Sequence, residues 1–376
     1  MTPAELSRTV LRSVRGAVEE RELSVPVPAR IVVQPPPRPG CGDYASNVAL
    51  QLAKPAGRPA REVAEILRKR LAGTPGIDRV EIAGPGFLNF TLGDGALVAL
   101  VRDVLAQGAA YGDRSAGPVA DLVSADPAPV GRVSTIRVST GPASVGPASV
   151  GRVSTGRVSA GRFGPGARAA VVGEALERIG AAAGWTGRAD GHPALVLVPD
   201  DLATLTARLG TDEARWILLR PAAHDPVRVP ERPVQRESNP RFRVQYAHAR
   251  TRALVRNAAD LGFLSEPGGV GAPAADGSGA EFRPAPASAH ALRTLLAGHP
   301  SVVEAAARLR APDRLVRHLE ATADAFFRWH DDCPPLPVGE QKPLAVHRAR
   351  LALAEATGTV LANGLRLLGI SAPEHL

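Results

Sequence analysis

Cysteine is almost missing from this chain. Cys41 and Cys333 are the only 2 in 376 residues. They lie far apart and outside any metal-ligand spacing, which argues against a disulfide framework and a structural zinc site, and makes a reducing cytoplasm the expected compartment. Aromatic residues are scarce at 4%, so cores must be built from Ala, Val and Leu, yet 44% hydrophobic residues over this length suffice for two or three domains. No apolar run approaches the roughly 20 residues that a membrane span needs, and the first 15 or so disperse their charges instead of leading into an apolar core. Neither a membrane segment nor an export signal is expected. Lysine is scarce beside arginine, and the net charge of +8 with an isoelectric point near 10.4 favours an acidic partner, most commonly nucleic acid. Part of that bias reads as GC-rich coding, because Ala, Gly and Pro are abundant too.

Acid is missing from one face of one stretch. From Ser238 the chain reads Ser-Asn-Pro-Arg-Phe-Arg-Val-Gln-Tyr-Ala-His-Ala-Arg and runs to Leu261 without another proline. Ser238 or Asn239 can cap a helix, and Pro240 suits its first turn. Val244, Ala247, Leu254, Ala258 and Leu261 then form a core-facing stripe at helical spacing. Arg241, Gln245, His248, Arg252 and Arg256 fall on another side. That second face suits a polyanion, and equally suits plain solvation.

Around this helix the sequence divides in three. Residues 1–112 read as a small α/β domain: a helix over Ala4–Glu20, a strand at Ile31–Val33 stopped by prolines, and a helix over Tyr44–Leu52 capped by Asp43. A helix over Ala60–Leu71, strands over Arg79–Ala83 and Phe87–Leu92, and a closing helix over Ala96–Gln107 complete it. Residues 113–236 read as a linker. Gly131–Ala160 repeats in a five-residue register rich in Gly, Ser and Pro that matches neither strand nor helix, so it is expected to be disordered. A helix over Ala167–Ala183 follows a Gly164-Pro165-Gly166 turn that no strand precedes, so a dinucleotide-binding turn is not indicated. Residues 237–376 read as helices, with Leu315, Leu319, Thr322 and Phe326 on one face of Pro312–Phe327, and with Leu344–Leu361 followed by Gly364, Gly369 and Pro373 as stops.

Four stretches resemble one family. Val244-Gln-Tyr-Ala-His-Ala-Arg250 after Ser238-Asn-Pro is similar to the opening of the anticodon-binding domain of arginyl-tRNA synthetases, and Gly364–Glu374 to that family's C-terminus. Gly42–Lys54 and Ala83-Gly-Pro-Gly-Phe-Leu-Asn-Phe90 resemble its N-terminal extra domain. The resemblance implies an α/β N-terminal domain and an all-α anticodon-binding bundle, joined by the repeat tract and an eroded remnant of a class I catalytic domain. It also implies that Phe87 and Asn89 meet the D-arm at the tRNA elbow, and that Tyr246 meets the anticodon loop. From the residues alone, Phe87 and Tyr246 read as core side chains instead. The departures are as informative. Val123–Pro127 looks like the strand end that precedes the first class I signature, but Phe163–Gly166 stands where His-x-Gly-His is expected, and no Lys-Met-Ser-Lys-Ser precedes Asp200–Leu202 and Leu209–Trp216. Those side chains would stabilise the phosphoryl transition state. Where the family ends in Met near the anticodon, this sequence has His375–Leu376. The expectation is a non-catalytic tRNA-binding protein of the cytoplasm, with arginine tRNA as partner and no ATP or metal site. Two alternatives are a divergent arginine–tRNA ligase, or subunit of one, that would use ATP and keep Arg168, and a regulatory module whose bundle binds a protein.

Overall fold

Thr2 and Glu5 start the fold. The Glu5 amide donates to the Thr2 hydroxyl at 3.3 Å and the Thr2 amide donates to the Glu5 carboxylate at 2.7 Å, a reciprocal cap ahead of helix α1, Pro3–Glu19. Leu6, Val10, Val14 and Ala17 recur at helical spacing and are buried. The computed structural model describes residues 1–36, 41–114, 166–185, 195–196, 198–232, 236, 238–271 and 285–376. The expected repeat tract over 131–160, Val123–Pro127 and Phe163–Pro165 lie outside the described residues.

Strand β1, Tyr44–Ser46, is followed by α2, Val48–Ala56, α3, Ala60–Leu71, the hairpin of β2, Ile77–Ala83, and β3, Phe87–Leu92, and then α4, Asp94–Gln107. The antiparallel sheet has the order β1-β3-β2, with Phe90 facing both Tyr44 and Val80. Period-two alternation turns Leu88, Phe90 and Leu92 into a core shared with Leu6, Val63 and Leu67, and puts Phe87 and Asn89 on the opposite face. Two expectations fail here. Ile31–Val33 is not a strand; pairing in this stretch is one bridge between Gln34 and Ala45, and the prolines at 35 and 36 carry no donor to extend it. Asp43 does not cap a helix over Tyr44–Leu52. Its carboxylate accepts from the Leu92 amide at 2.7 Å, so Tyr44–Ser46 is drawn out against β3 and the helix begins only at Val48.

Helices α5, Ala167–Ala182, α6, Leu202–Leu209, α7, Thr211–Leu219, α8, Pro240–Asp260, α9, Ala287–Arg308, α10, Asp313–Asp332, and α11, Ala345–Leu368, build the second core. Val171, Ile179, Leu205 and Trp216 are buried there together with Val244, Leu319, Trp329 and Leu361. The expected boundary at residue 237 therefore cuts through one packed body, and the expected linker and catalytic remnant supply three helices, α5, α6 and α7, to its core. Helix α4 faces both ways: Ala96 lies in the first core, Leu100, Val101 and Val104 in the second. Beyond it, the Tyr111 hydroxyl donates to the Leu296 carbonyl at 2.9 Å, and the Asn363 amide donates to Gly108 O at 2.9 Å and Tyr111 O at 3.2 Å. Residue 112 is thus a packed seam. Leu261 leaves the expected stripe, 53% exposed, because α8 ends at Asp260. No described helix is long and apolar enough to cross a membrane.

Candidate nucleic-acid interface

Helix α8 begins where the sequence places its cap. The Asn239 side-chain carbonyl accepts from the amides of Arg241 at 2.9 Å and Phe242 at 3.5 Å, with Pro240 in the first turn. Val244, Ala247, Leu254 and Ala258 are buried as expected.

The polar face is not the open basic surface that its own sequence suggests. Acids and carbonyls from other elements cover it. Arg241 is 9% exposed and its Nε donates to Glu213 Oε2 at 2.5 Å, while another guanidinium nitrogen donates to Gln245. Gln245 is 1% exposed and its amide donates to Asp212 at 2.8 Å and to the Ser371 carbonyl at 2.9 Å. His248 Nδ1 lies 2.9 Å from the Pro373 carbonyl, which can only accept, so Nδ1 carries the proton; burial nevertheless holds this ring below its usual pKa. Arg252 Nε donates to Glu374 at 3.1 Å, and Arg256 donates to the Glu374 carbonyl at 3.3 Å. Of the five residues expected to meet a polyanion, Arg241, Gln245 and His248 are buried structural groups, whereas Arg252 and Arg256 remain partly exposed. Helical periodicity reports one helix only, and Glu213, Asp212 and Glu374 lie from 33 residues before to 122 residues beyond their partners on α8.

Tyr246 stands elsewhere, on a half-buried aromatic ladder. Its ring stacks on Phe242 at 6.0 Å and 7° and on Phe327 of α10 at 5.6 Å and 22°, so neither solvent nor the core fully encloses it. Arg243 lies over the Phe327 ring at 4.9 Å while its Nε donates to Asp324 at 2.6 Å. Arg250 is exposed a turn beyond Tyr246, and its charge adds to burial in holding the His330 ring of α10 below its usual pKa. Flat apolar faces with cations beside them can stack nucleobases and attract phosphates. Phe242, Arg243, Arg250 and Phe327 were not foreseen. The first three could have been found from their spacing with Tyr246, but Phe327 joins only through the crossing of α8 and α10.

In the first domain, Phe87 opens β3 at the mouth of the hairpin and is 41% exposed, which overturns the core reading of that ring. Gly86 shapes the turn: its φ is +138°, and a Cβ there would lie 3.0 Å from the Ala60 backbone. Asn89 differs. It sits mid-strand between Ala45 and Glu81, only 8% exposed, so Phe87 is open to solvent and Asn89 is not.

Arg168 is 2% exposed, and its guanidinium donates to six carbonyls, among them Ala222 at 2.8 Å and Pro221 and Asp225 at 3.0 Å. Every direction of its fork is filled by the chain's own backbone. Among the described residues no group of 3 or more His, Cys, Asp or Glu could hold a metal ion.

Residues 8–92 match the model of the arginyl tRNA synthetase N terminal domain, and residues 244–376 match that of the DALR anticodon binding domain. The chain belongs to the arginyl-tRNA synthetase family. It is similar end to end, at 29% identity, to the arginine–tRNA ligase of Renibacterium salmoninarum, with 100% of both sequences covered. That alignment runs over 562 positions against 376 residues here, so at least 186 positions have no residue of this chain opposite them. Identity rises to 43% over 178 residues with the arginine–tRNA ligase of Pseudarthrobacter chlorophenolicus, covering 47% of this chain and 31% of that one. The Thermus thermophilus arginyl-tRNA synthetase structure shares the fold, with a TM-score of 0.53 at 14% identity over 100% of both chains. The mixed α/β start and the helical DALR domain are those of an arginyl-tRNA synthetase. The DALR model takes in α8 from Val244 and all of α10, and so most of the aromatic ladder.

Proposed function

We propose that this arginyl-tRNA synthetase relative binds tRNA, with arginine tRNA as the preferred ligand, and does not form arginyl-adenylate by itself. The observation that carries the binding half is the ladder of Phe242, Tyr246 and Phe327, two of them in the DALR domain, half-buried and flanked by Arg243 and Arg250. Anticodon bases would stack on it, and Phe87 would meet a base at the tRNA elbow, while the protein works in the cytoplasm and needs neither ATP nor a metal. The non-catalytic half is supported by the alignment gap, by the absence of both class I signatures from the sequence, and by Arg168, whose hydrogen bonds are all directed at backbone carbonyls. A ligase reading rests on the end-to-end alignment with arginine–tRNA ligases, either as a divergent enzyme acting alone or as one chain of two, the second supplying the phosphate-binding charges.

Arginine-dependent exchange of pyrophosphate into ATP by the purified chain tests whether it forms arginyl-adenylate by itself. No exchange above the no-enzyme blank is expected, and exchange by the purified chain would refute the non-catalytic half.

For binding, Tyr246→Ala is expected to weaken affinity for arginine tRNA by about 1–3 kcal/mol without changing the salt slope, because stacking is lost and no phosphate contact is. Replacing the exposed Arg250 with Ala should instead lower the slope by roughly 0.7–0.9 of a unit for every tRNA tested. Filter binding from low to moderate salt reads both effects. Equal affinity and equal discrimination among tRNAs for the folded Tyr246→Ala protein and wild type would remove the ladder from the model.

A further inference from the structure

We propose that the segment Ser371–His375 is an intrachain strap that lies along the polar stripe of α8 and competes with RNA phosphates for it. The inference rests on the RNA-binding reading above but concerns a different side of α8 from the aromatic ladder. From the second turn to the last, the stripe meets oxygen atoms of this segment in order. Gln245 donates to the Ser371 carbonyl at 2.9 Å, His248 to the Pro373 carbonyl at 2.9 Å, Arg252 to the Glu374 carboxylate at 3.1 Å and Arg256 to the Glu374 carbonyl at 3.3 Å. A row of donors rising along a helix and meeting one oxygen-rich segment is also how a phosphodiester backbone is tracked.

The two ends of the strap differ in strength. At its start Ile370 is 4% exposed, the Ser371 amide donates to Asp212 at 3.1 Å, and the Ser371 hydroxyl donates to the same carboxylate, so this end is anchored. At its far end the pair of Arg252 and Glu374 is 39% and 53% exposed, and Arg256 meets the same carboxylate only at 3.9 Å. Exposed pairs of this kind hold weakly and are screened by salt. Beside them lies a cavity of about 330 Å³ lined by His248, Arg252, Val255, Glu355, Gly358 and Glu374, which leaves room for a phosphate group next to Arg252, while the Glu355 carboxylate is engaged by the Ser265 hydroxyl. The far end can therefore lift while the anchored end stays. Glu374 then sets the fraction of molecules in which Arg252 and Arg256 are available, and apparent affinity scales with that fraction.

The test uses the full chain with Glu374→Gln, and a second variant lacking Ser371–Leu376, each checked for folding by circular dichroism and thermal melting. With arginine tRNA as probe, Glu374→Gln is expected to bind about three- to tenfold more tightly at low salt, with a slope in log–log salt plots steeper by about 0.7–1.8 units as one or two arginines reach phosphate. Wild-type affinity and slope in folded Glu374→Gln would overturn the strap while leaving tRNA binding intact, and weaker binding would overturn it by making the segment part of the RNA surface. Should the deletion unfold the chain, Glu374→Gln decides, because that side chain is exposed. Should no form bind tRNA, the proposed function fails separately, and poly(U) becomes the probe: a gain on Glu374→Gln supports the strap and no gain overturns it.

Discussion

Arg168→Met is expected to lower the unfolding free energy by about 3–5 kcal/mol, the range seen when one partner of a buried charged network is removed. The guanidinium is 2% exposed and donates to the carbonyls of Leu218, Val196, Ala223, Asp225, Pro221 and Ala222 between 2.8 and 3.4 Å. Five of those carbonyls belong to the end of α7 and the loop that follows it. This one side chain of α5 therefore ties the loop to the helical core, and methionine fills a similar volume without a single donor. Burial lowers the pKa of the guanidinium, and the nearby charges of Asp225 and Asp313 oppose that shift. The group stays charged under all ordinary conditions. Arg168→Lys should recover little, because an ammonium offers three donors and no planar fork. Urea denaturation of the full chain measures the loss. A change under about 1 kcal/mol for Arg168→Met would mean that the loop is held by something else, and would reopen the view of Arg168 as a leftover of catalytic machinery.

Arg168 also marks what a single sequence can and cannot show. The residue was visible as a remnant of the family pattern, but its acceptors lie 28 to 57 residues away and are backbone atoms, which leave no trace in residue types. Elements set by local rules were legible. Helix α3 is Ala60–Leu71 as expected, β3 is Phe87–Leu92, and Asn239 caps α8, because capping, period-two and period-3.6 patterns are properties of neighbouring residues. Tyr44–Ser46 failed because Asp43 bonds a strand 49 residues away instead of the helix it precedes. Gly364 reads in sequence as a helix stop, yet α11 runs on to Leu368; a Cβ at Gly364 would lie 2.4 Å from Leu319 Cδ2, so this glycine marks the close crossing of α10 and α11. The site divided along the same line. Tyr246 was legible as a family position and Phe87 as a turn residue, whereas the loss of Arg241, Gln245 and His248 to the interior depended on Glu213, Asp212, Ser371 and Pro373, which α8 alone does not reveal.

Acidification from pH 7.5 to 5 is expected to destabilise the chain through two histidines at the seam between its first domain and the bundle. His299 is fully buried on α9 and neither ring nitrogen has a hydrogen-bond partner; its ring stacks on Tyr111 at 6.2 Å and lies 5.4 Å from the ring of His318 on α10. Burial pushes the pKa of both rings down, that of His318 to about 4, and in His299 the neighbouring His318 adds to the effect. Both are therefore neutral in the folded chain where the unfolded chain, near its ordinary value of 6.5, is already taking up protons. Between those limits the unfolded state binds more protons, so stability falls as pH drops from about 6.5 towards 4 and is flat above about 7. For His318 alone the loss at pH 5 is about 2 kcal/mol, taking 1.36 kcal/mol per unit over the 1.5 or so units below its unfolded value. His299 adds to it in the same direction. His318→Leu removes the titration and an unpartnered buried nitrogen together, so it should match wild type within about 1 kcal/mol at pH 7.5 and exceed it at pH 5. Urea denaturation at both values reads the difference. A wild-type curve unchanged between pH 7.5 and 5, or a His318→Leu protein that loses as much stability as wild type over that interval, would show that these rings do not titrate on unfolding as their burial requires.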